Sequence, residues 1–274
     1  MAGSGVADAT IGNASGGNAN GGNVSGDAAP VALITGGSGG LGAPICAALA
    51  AAGFRIAVGY LRSAAAAAKL AASLPGSGHV ALAAPVTDSA ALGTMAVELE
   101  RRFGRCDVLV NAAGTTRFVP HAELRQLDDA LFDSIFAVNV RGAFASVRAL
   151  RPLLERSRLA GGAVVINISS IAARTAMGSN VAYCASKAAL DNMTCSLARA
   201  LAPRIRVVSV SPGLVDTEFV KSLDQGWRDE QAARTPLQRL ALPAEVARAV
   251  VAAATQLTFT TGAVIAVDGG RPLN

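Results

Sequence analysis

From Pro30 onward, short apolar and often β-branched runs alternate with longer alanine-rich stretches. The runs are VALIT (31–35), RIAVGY (55–60), HVALAA (79–84), DVLVN (107–111), AVVINIS (163–169), IRVVSVS (205–211) and AVIAVD (263–268). Runs that stay apolar at successive positions predict strands buried on both faces. Between them lie segments long enough for helices, among them 41–52, 88–103, 124–156, 181–202 and 243–255. The expected architecture is α/β: a single doubly wound domain whose seven-stranded parallel sheet is flanked by helices. In such sheets ligands bind beyond the carboxyl ends of the strands, so the residues after each run carry the candidate chemistry.

Residues 1–29 break the pattern. They are Gly, Asn, Ala and Ser with almost nothing to bury, and such a stretch cannot offset its ordering entropy. A disordered tail is expected there, with residues 30–274 as the folded domain. The stretch has neither the basic start and apolar core of a secretory signal nor the arginines of a mitochondrial transit peptide.

Composition narrows the function classes further. No unbroken apolar run reaches eighteen residues, so no membrane span is expected. The net charge is +5, but the basic residues are scattered, and the densest knots are 101–105 and 148–158. A nucleic-acid binder concentrates its charge on one stripe, so solvated helix faces are the expectation. The four cysteines (Cys46, Cys106, Cys184, Cys195) share no CxxC spacing and there are two histidines, which argues against a zinc site and a disulfide framework. Reduced thiols and a cytoplasmic location follow.

The first strand leads into Thr35-Gly-Gly-Ser-Gly-Gly-Leu-Gly42. Gly36 suits a tight turn, while Gly40 and Gly42 suit close backbone approach to a pyrophosphate and close packing of the next helix. That helix would aim its first amides at the phosphates. A nicotinamide cofactor of the NAD type calls for an acid after the second strand, yet no carboxylate occurs between Asp27 and Asp88. Tyr60, Arg62 and Ser63 stand there instead. Arg62 and Ser63 can hold a 2′-phosphate by charge-assisted hydrogen bonds, which favours NADP(H) over NAD(H).

The chain has two tyrosines and three lysines, yet one of each forms Tyr183-Cys-Ala-Ser-Lys187. Four residues apart on a helix they share a face. A phenol near pKa 10 exchanges protons poorly at neutral pH, and a nearby ammonium lowers it toward the working range. Tyr183 then protonates a carbonyl oxygen as hydride reaches its carbon, and Lys187 has a second use as a donor to the nicotinamide ribose. Ser169 and Ser170 end the fifth strand, and a hydroxyl there can polarise the same oxygen. A serine hydrolase is disfavoured because neither histidine, His79 or His121, has a carboxylate partner in a suggestive context.

Together these motifs resemble the short-chain dehydrogenase/reductase family over residues 31–270. The loop matches its TGxxxGxG pattern, and the serine-to-tyrosine spacing of the family selects Ser170. Asn111-Ala112-Ala-Gly114 resembles the NAG element on the adenine side of the cofactor. Asn139 resembles the asparagine that supports a water leading to the catalytic lysine. Pro212-Gly213 with Thr217 resembles the PGxxxT element that grips the carboxamide, and Asp268-Gly-Gly270 resembles the C-terminal ending.

The resemblance implies catalysis by Asn139, Ser170, Tyr183 and Lys187. It implies cofactor contacts from Gly36, Ser38, Gly40, Leu41, Gly42, Tyr60, Arg62, Ser63, Asn111, Ala112, Gly114, Tyr183, Lys187, Pro212, Gly213 and Thr217, and no metal. The implied reaction is reversible NADPH-dependent reduction of a ketone or aldehyde, most like 3-oxoacyl-acyl-carrier-protein reductases and related carbonyl reductases, in a homotetramer or homodimer. The alternative is an NADP(H)-responsive binding protein of the same fold with little catalysis, against which the full Tyr/Lys/Ser/Asn set argues. Two features depart from the pattern: Pro85 stands where the family often has an adenine-binding Asp, and Ser157 to Gly162 looks like a surface insertion. The segment Leu214–Arg239 is expected to fold over the site, with Phe118, Met177, Phe219 and Trp227 as candidate apolar lining.

Overall fold

The computed structural model describes residues 29–273, apart from the Phe219 side chain. Residues 1–28, where nearly all of the expected tail falls, lie outside the described residues. Seven strands form one sheet: β1 (Val31–Thr35), β2 (Arg55–Tyr60), β3 (Val80–Ala83), β4 (Val108–Asn111), β5 (Ala163–Ile168), β6 (Ile205–Pro212) and β7 (Val264–Val267). Every pairing is parallel and the order is β3-β2-β1-β4-β5-β6-β7. The order reverses between β1 and β4, which opens a crevice at their carboxyl ends.

The helices are α1 (Gly42–Ala51), α2 (Ala64–Ser73), α3 (Ser89–Phe103), α4 (Asp129–Phe136), α5 (Ala143–Leu154), α6 (Ala172–Thr175), α7 (Val181–Leu201), α8 (Glu218–Lys221), α9 (Gln225–Ala233) and α10 (Pro243–Thr255). One face of the sheet buries Ile34, Ile56, Val110 and Ile166 against α1, α2 and α10. The other buries Leu33, Leu109, Val165 and Val207 against α3, α5 and α7. Alternate residues of one strand thus serve two cores, which is why the runs stay apolar at consecutive positions.

The stretch expected as one helix over 124–156 is broken. A short 3₁₀ turn (Leu124–Gln126) comes first, Asp128 caps α4 by accepting from Leu131 N at 2.7 Å, and a π-helical turn (Ala137–Gly142) joins α4 to α5. The joined helix Asp129–Leu154 is long and apolar enough, by length and composition, to cross a membrane. Here it packs against α3, α7 and β4 as a core helix. The insertion at Ser157 to Gly162 has a structural use: Ser157 Oγ and Arg158 N both donate to Asp107 Oδ1, at 2.7 and 3.1 Å.

Candidate functional site

The glycine loop closes on itself before α1 begins. Gly36 has φ +64°, and a Cβ there would lie 2.9 Å from Ala113 Cα, so the residue is both left-handed and pressed against the β4 loop. A Cβ on Gly42 would sit 2.1 Å from Gly36 O. Only glycine fits. Gly40 lies open except for Thr217, whose Cβ would be 3.5 Å from an added methyl. The PGxxxT element and the loop are therefore neighbours, as their proposed partnership requires.

The backbone N–H groups of Ser38, Gly40, Leu41 and Gly42 have no hydrogen-bond partner among the described residues. No side chain caps α1 either. Unpaired amides at a helix start form a cradle for an anion, so this loop fits the pyrophosphate of a dinucleotide. At the end of β2, Arg62 and Ser63 are exposed, and their side chains are unpaired among the described residues. The first carboxylate beyond them, Asp88, is already used as the α3 cap, accepting from Ala90 N and Ala91 N. It leaves Arg62 and Ser63 as the polar groups at this corner.

At α7 the sequence sets the geometry locally. Asn180 caps the helix, accepting from Tyr183 N at 2.7 Å and donating to Arg117 O at 2.7 Å and Thr116 Oγ1 at 3.2 Å. This binds the β4 loop to the turn that carries the tyrosine. One turn later Lys187 is buried, and its Nζ donates to Ile168 O at 2.8 Å and lies 5.6 Å from the Tyr183 ring centroid. Burial pulls the lysine down to about 8, opposed by the Asp191 charge. Burial raises the Tyr183 phenol above its ordinary value, while its hydrogen bond with Ser170 pulls the other way. The spacing predicted a net lowering by Lys187. In this structure desolvation raises the phenol instead, and the opposing pull comes from Ser170.

Ser170 and Ser169 separate clearly. Ser170 meets the phenol, and its Oγ accepts from Ala172 N at 3.2 Å. Ser169 Oγ is buried without a partner among the described residues.

Asn139 lies in the π-helical turn and is buried. Its Oδ1 accepts from Thr115 N at 2.8 Å, and its Nδ2 donates to Thr115 O and to Ser186 Oγ, both at 3.1 Å. Ser186 Oγ in turn donates to Tyr183 O at 2.8 Å. A Cβ on Gly114 would lie 3.5 Å from Asn139 Oδ1 and 3.9 Å from Lys187 Nζ, so these three meet at one point. Asn139, Ser170, Tyr183, Lys187 and Gly114 come together at the carboxyl end of β4 and β5.

Asn111 turns elsewhere. Its Nδ2 donates to Asn167 Oδ1 at 2.9 Å, Asn167 Nδ2 donates to Thr194 Oγ1 at 2.8 Å, and Thr194 shares a hydrogen bond with Ser209. Thr35, Asn111, Asn167 and Ser209 pair in register across β1, β4, β5 and β6. This row ties strands to α7 under the site rather than reaching into the cleft. Composition did not point to Asn167, Ser186 or Thr194. Asn180 was available to the N-cap rule, being three residues before Tyr183.

The segment Leu214–Arg239 carries α8 and α9, held by Arg228 Nη2 on Asp216 Oδ1 at 2.7 Å and Arg271 Nη2 on Gln231 Oε1 at 2.7 Å. Among the candidate lining residues, Phe118, Met177 and Trp227 are exposed and outside the core. The Phe219 side chain lies outside the described residues.

The family model described as "Enoyl-(Acyl carrier protein) reductase" matches residues 36–271. The chain belongs to the short-chain dehydrogenase/reductase family, oxidoreductases that bind NAD(P)(H). It is 39% identical over 247 residues to a Streptomyces violaceoruber protein that carries the name of ketoacyl reductase 2 of the granaticin polyketide synthase, covering 89% of this chain and 97% of that one. It is 38% identical to the D-threitol dehydrogenase of Mycolicibacterium smegmatis, covering 88% and 92%. A Burkholderia xenovorans crystal structure described as a short-chain dehydrogenase/reductase superposes with TM-score 0.82 at 35% identity, covering 90% and 99%.

Proposed function

We propose that the protein is an NADPH-dependent carbonyl reductase, reversible as an alcohol dehydrogenase, with residues 30–274 as its catalytic domain in the cytoplasm. The observation that carries this reading is the convergence of Asn139, Ser170, Tyr183 and Lys187 at the carboxyl end of β4 and β5, with Lys187 Nζ 5.6 Å from the Tyr183 ring centroid. Reduced nicotinamide, when bound, supplies the hydride. Tyr183 donates its phenolic proton to the carbonyl oxygen, and Ser170 orients that oxygen from the same side. A phenol raised by burial stays protonated at neutral pH, which is the form that reduction requires. Lys187, near 8, is mostly charged at pH 7, and Asn139 holds the Thr115 backbone and Ser186 around it.

The free amides of Ser38, Gly40, Leu41 and Gly42 would hold the pyrophosphate, with Gly36 shaping the turn. Tyr60, Arg62 and Ser63 would surround the 2′-phosphate, and unpaired Arg62 is the reason to favour NADP(H). Ala112 and Gly114 would line the cofactor by backbone, Pro212, Gly213 and Thr217 the carboxamide end. Asn111 supports the wall behind them through Asn167. The four cysteines, all free, suit a reducing cytoplasm. Assembly as a homotetramer or homodimer accompanies this reading, as in the family.

The substrate class favoured is a 3-oxoacyl thioester or related β-keto compound, supported by the ketoacyl reductase name of the Streptomyces relative. The test is consumption of NADPH and NADH across 3-oxoacyl thioesters, β-keto esters, aryl ketones, sugars and an enoyl thioester. Turnover of a ketone with NADPH preferred supports the reading. NADPH binding without consumption supports a binding protein, and turnover of the enoyl thioester alone replaces ketone reduction with alkene reduction.

A further inference from the structure

The short helix α6 begins two residues after Ser170 and ends at Ala176, a non-glycine residue at φ +53° that turns the chain back on itself. That reversal brings Met177 beside Arg174 and Thr175. The three residues and Pro272 line a cavity of about 320 Å³. Pro272 reaches it from the C-terminal segment, which Arg271 fastens to Gln231 of α9. The residue after Met177 is close to the reacting groups: a Cβ on Gly178 would lie 3.1 Å from Tyr183 Cδ1 and 3.0 Å from Ala172 Cβ. Arg174 thus follows Ser170 by four residues through α6, and Pro272 follows Arg271, the residue bonded to α9.

Arg174, which lines the cavity, is exposed. Arg174 makes no side-chain hydrogen bond, ion pair or ring contact among the described residues. Thr175 Oγ1, the other polar group, donates to Ile171 O at 3.1 Å and accepts from Met177 N at 3.2 Å, so it braces the turn. The guanidinium is left as the one unpartnered polar group among the cavity's lining side chains, opposite the apolar Met177 and Pro272. A guanidinium fork matches a carboxylate or phosphoryl group in two parallel hydrogen bonds.

We propose that Arg174 is a specificity-determining residue that binds an anionic oxygen group, carboxylate or phosphoryl, carried by the substrate away from its reacting carbonyl. Met177 and Pro272 cover the apolar part of the substrate next to that group. This rests on the carbonyl-reductase reading and narrows it to ketones that bear a remote negative charge.

Two matched pairs distinguish the sources of charge. Acetoacetyl-pantetheine 4′-phosphate against acetoacetyl-pantetheine reports on phosphoryl, and 4-oxopentanoate against its methyl ester reports on carboxylate. Wild type should prefer the charged member of at least one pair in kcat/KM. Arg174→Ala should lower that preference by about 10- to 100-fold, carried mainly in KM, with Arg174→Lys intermediate and Arg174→Glu lowest. Melting temperature and NADPH affinity of each variant show whether it is folded. A binding arm needs no turnover: pantetheine 4′-phosphate, pantetheine, 4-oxopentanoate and its methyl ester are titrated into wild type and Arg174→Ala. A charged-over-neutral preference lost in Arg174→Ala sustains the proposal even if no ketone is reduced. If ketones are reduced but neither pair shows a preference that Arg174→Ala removes, the proposal is overturned and the reductase reading stands.

Discussion

At the amino end of the sheet Asp107 is fully buried, and both its oxygens are occupied. Oδ2 accepts from Val31 N at 2.7 Å and Arg105 Nε at 2.9 Å, while Oδ1 takes Ser157 Oγ and Arg158 N. Nearby, the buried Arg206 guanidinium donates to Ala253, Leu257 and Thr260 carbonyls at the end of α10. At the carboxyl end the polar groups are as numerous but unfinished. Four loop amides, Ser169 Oγ and the Arg62 and Arg174 side chains lack partners among the described residues, and Tyr183 and Lys187 are displaced by burial in opposite directions. At the amino end Arg55 Nε and Arg206 Nε also lack partners among the described residues, but both guanidiniums are held through their other nitrogens, and that end holds the strands together. The other keeps polar capacity in reserve for a ligand, as functional sites do.

The contrast can be broken most forcefully at Asp107. Asp107→Asn should lower stability by about 3–5 kcal/mol, because the buried ion pair with Arg105 loses its anionic member. Denaturant unfolding measures it, and turnover per folded molecule should be unchanged. A variant as stable as wild type would remove the distinction between the two ends.

Lys187 supplies the next test, and its sign is opposite to that of a stabilising pair. Its folded value of about 8 lies below the ordinary 10.5, so the unfolded chain binds the extra proton between these values. Stability conferred by this group therefore rises with pH across that window. Relative to Lys187→Met, wild type should gain about 3 kcal/mol between pH 8 and pH 10.5. A flat difference would mean that the ammonium is solvated.

A smaller effect is expected at the cofactor corner. Arg62→Ala should reduce the NADPH-over-NADH ratio of kcat/KM by about tenfold, leaving melting temperature unchanged. Unchanged selectivity would move the 2′-phosphate away from β2. Least of all should follow from deleting residues 2–28, since Ala29, whose carbonyl accepts from Arg105 and Arg55, is retained. Melting temperature should stay within about 1 °C.

Much of this was legible in the chain because strands buried on both faces leave an uninterrupted apolar signature. Helix α2 is harder to see: its first five residues are all alanine, so it has little apolar-polar period, and only Ala67 and Ala71 are buried. The π-helical turn leaves no mark in composition, yet it sets where Asn139 projects. The glycine loop, Tyr183, Lys187 and Ser170 were readable because their chemistry demands particular residue types at particular spacings. Asn111 was readable as a motif but not in its direction, since its role depends on Asn167 and Thr194, which are 56 and 83 positions away in the chain.

The central claim is that Tyr183 supplies the proton for carbonyl reduction at an end of the sheet built for ligands. The direct measurement is single-turnover reduction of a good ketone by wild type and Tyr183→Phe, alongside NADPH binding by titration. The account predicts NADPH affinity within about twofold and a rate lower by about 10²- to 10⁴-fold. A Tyr183→Phe variant that keeps more than a few per cent of the wild-type rate with every good substrate would contradict it.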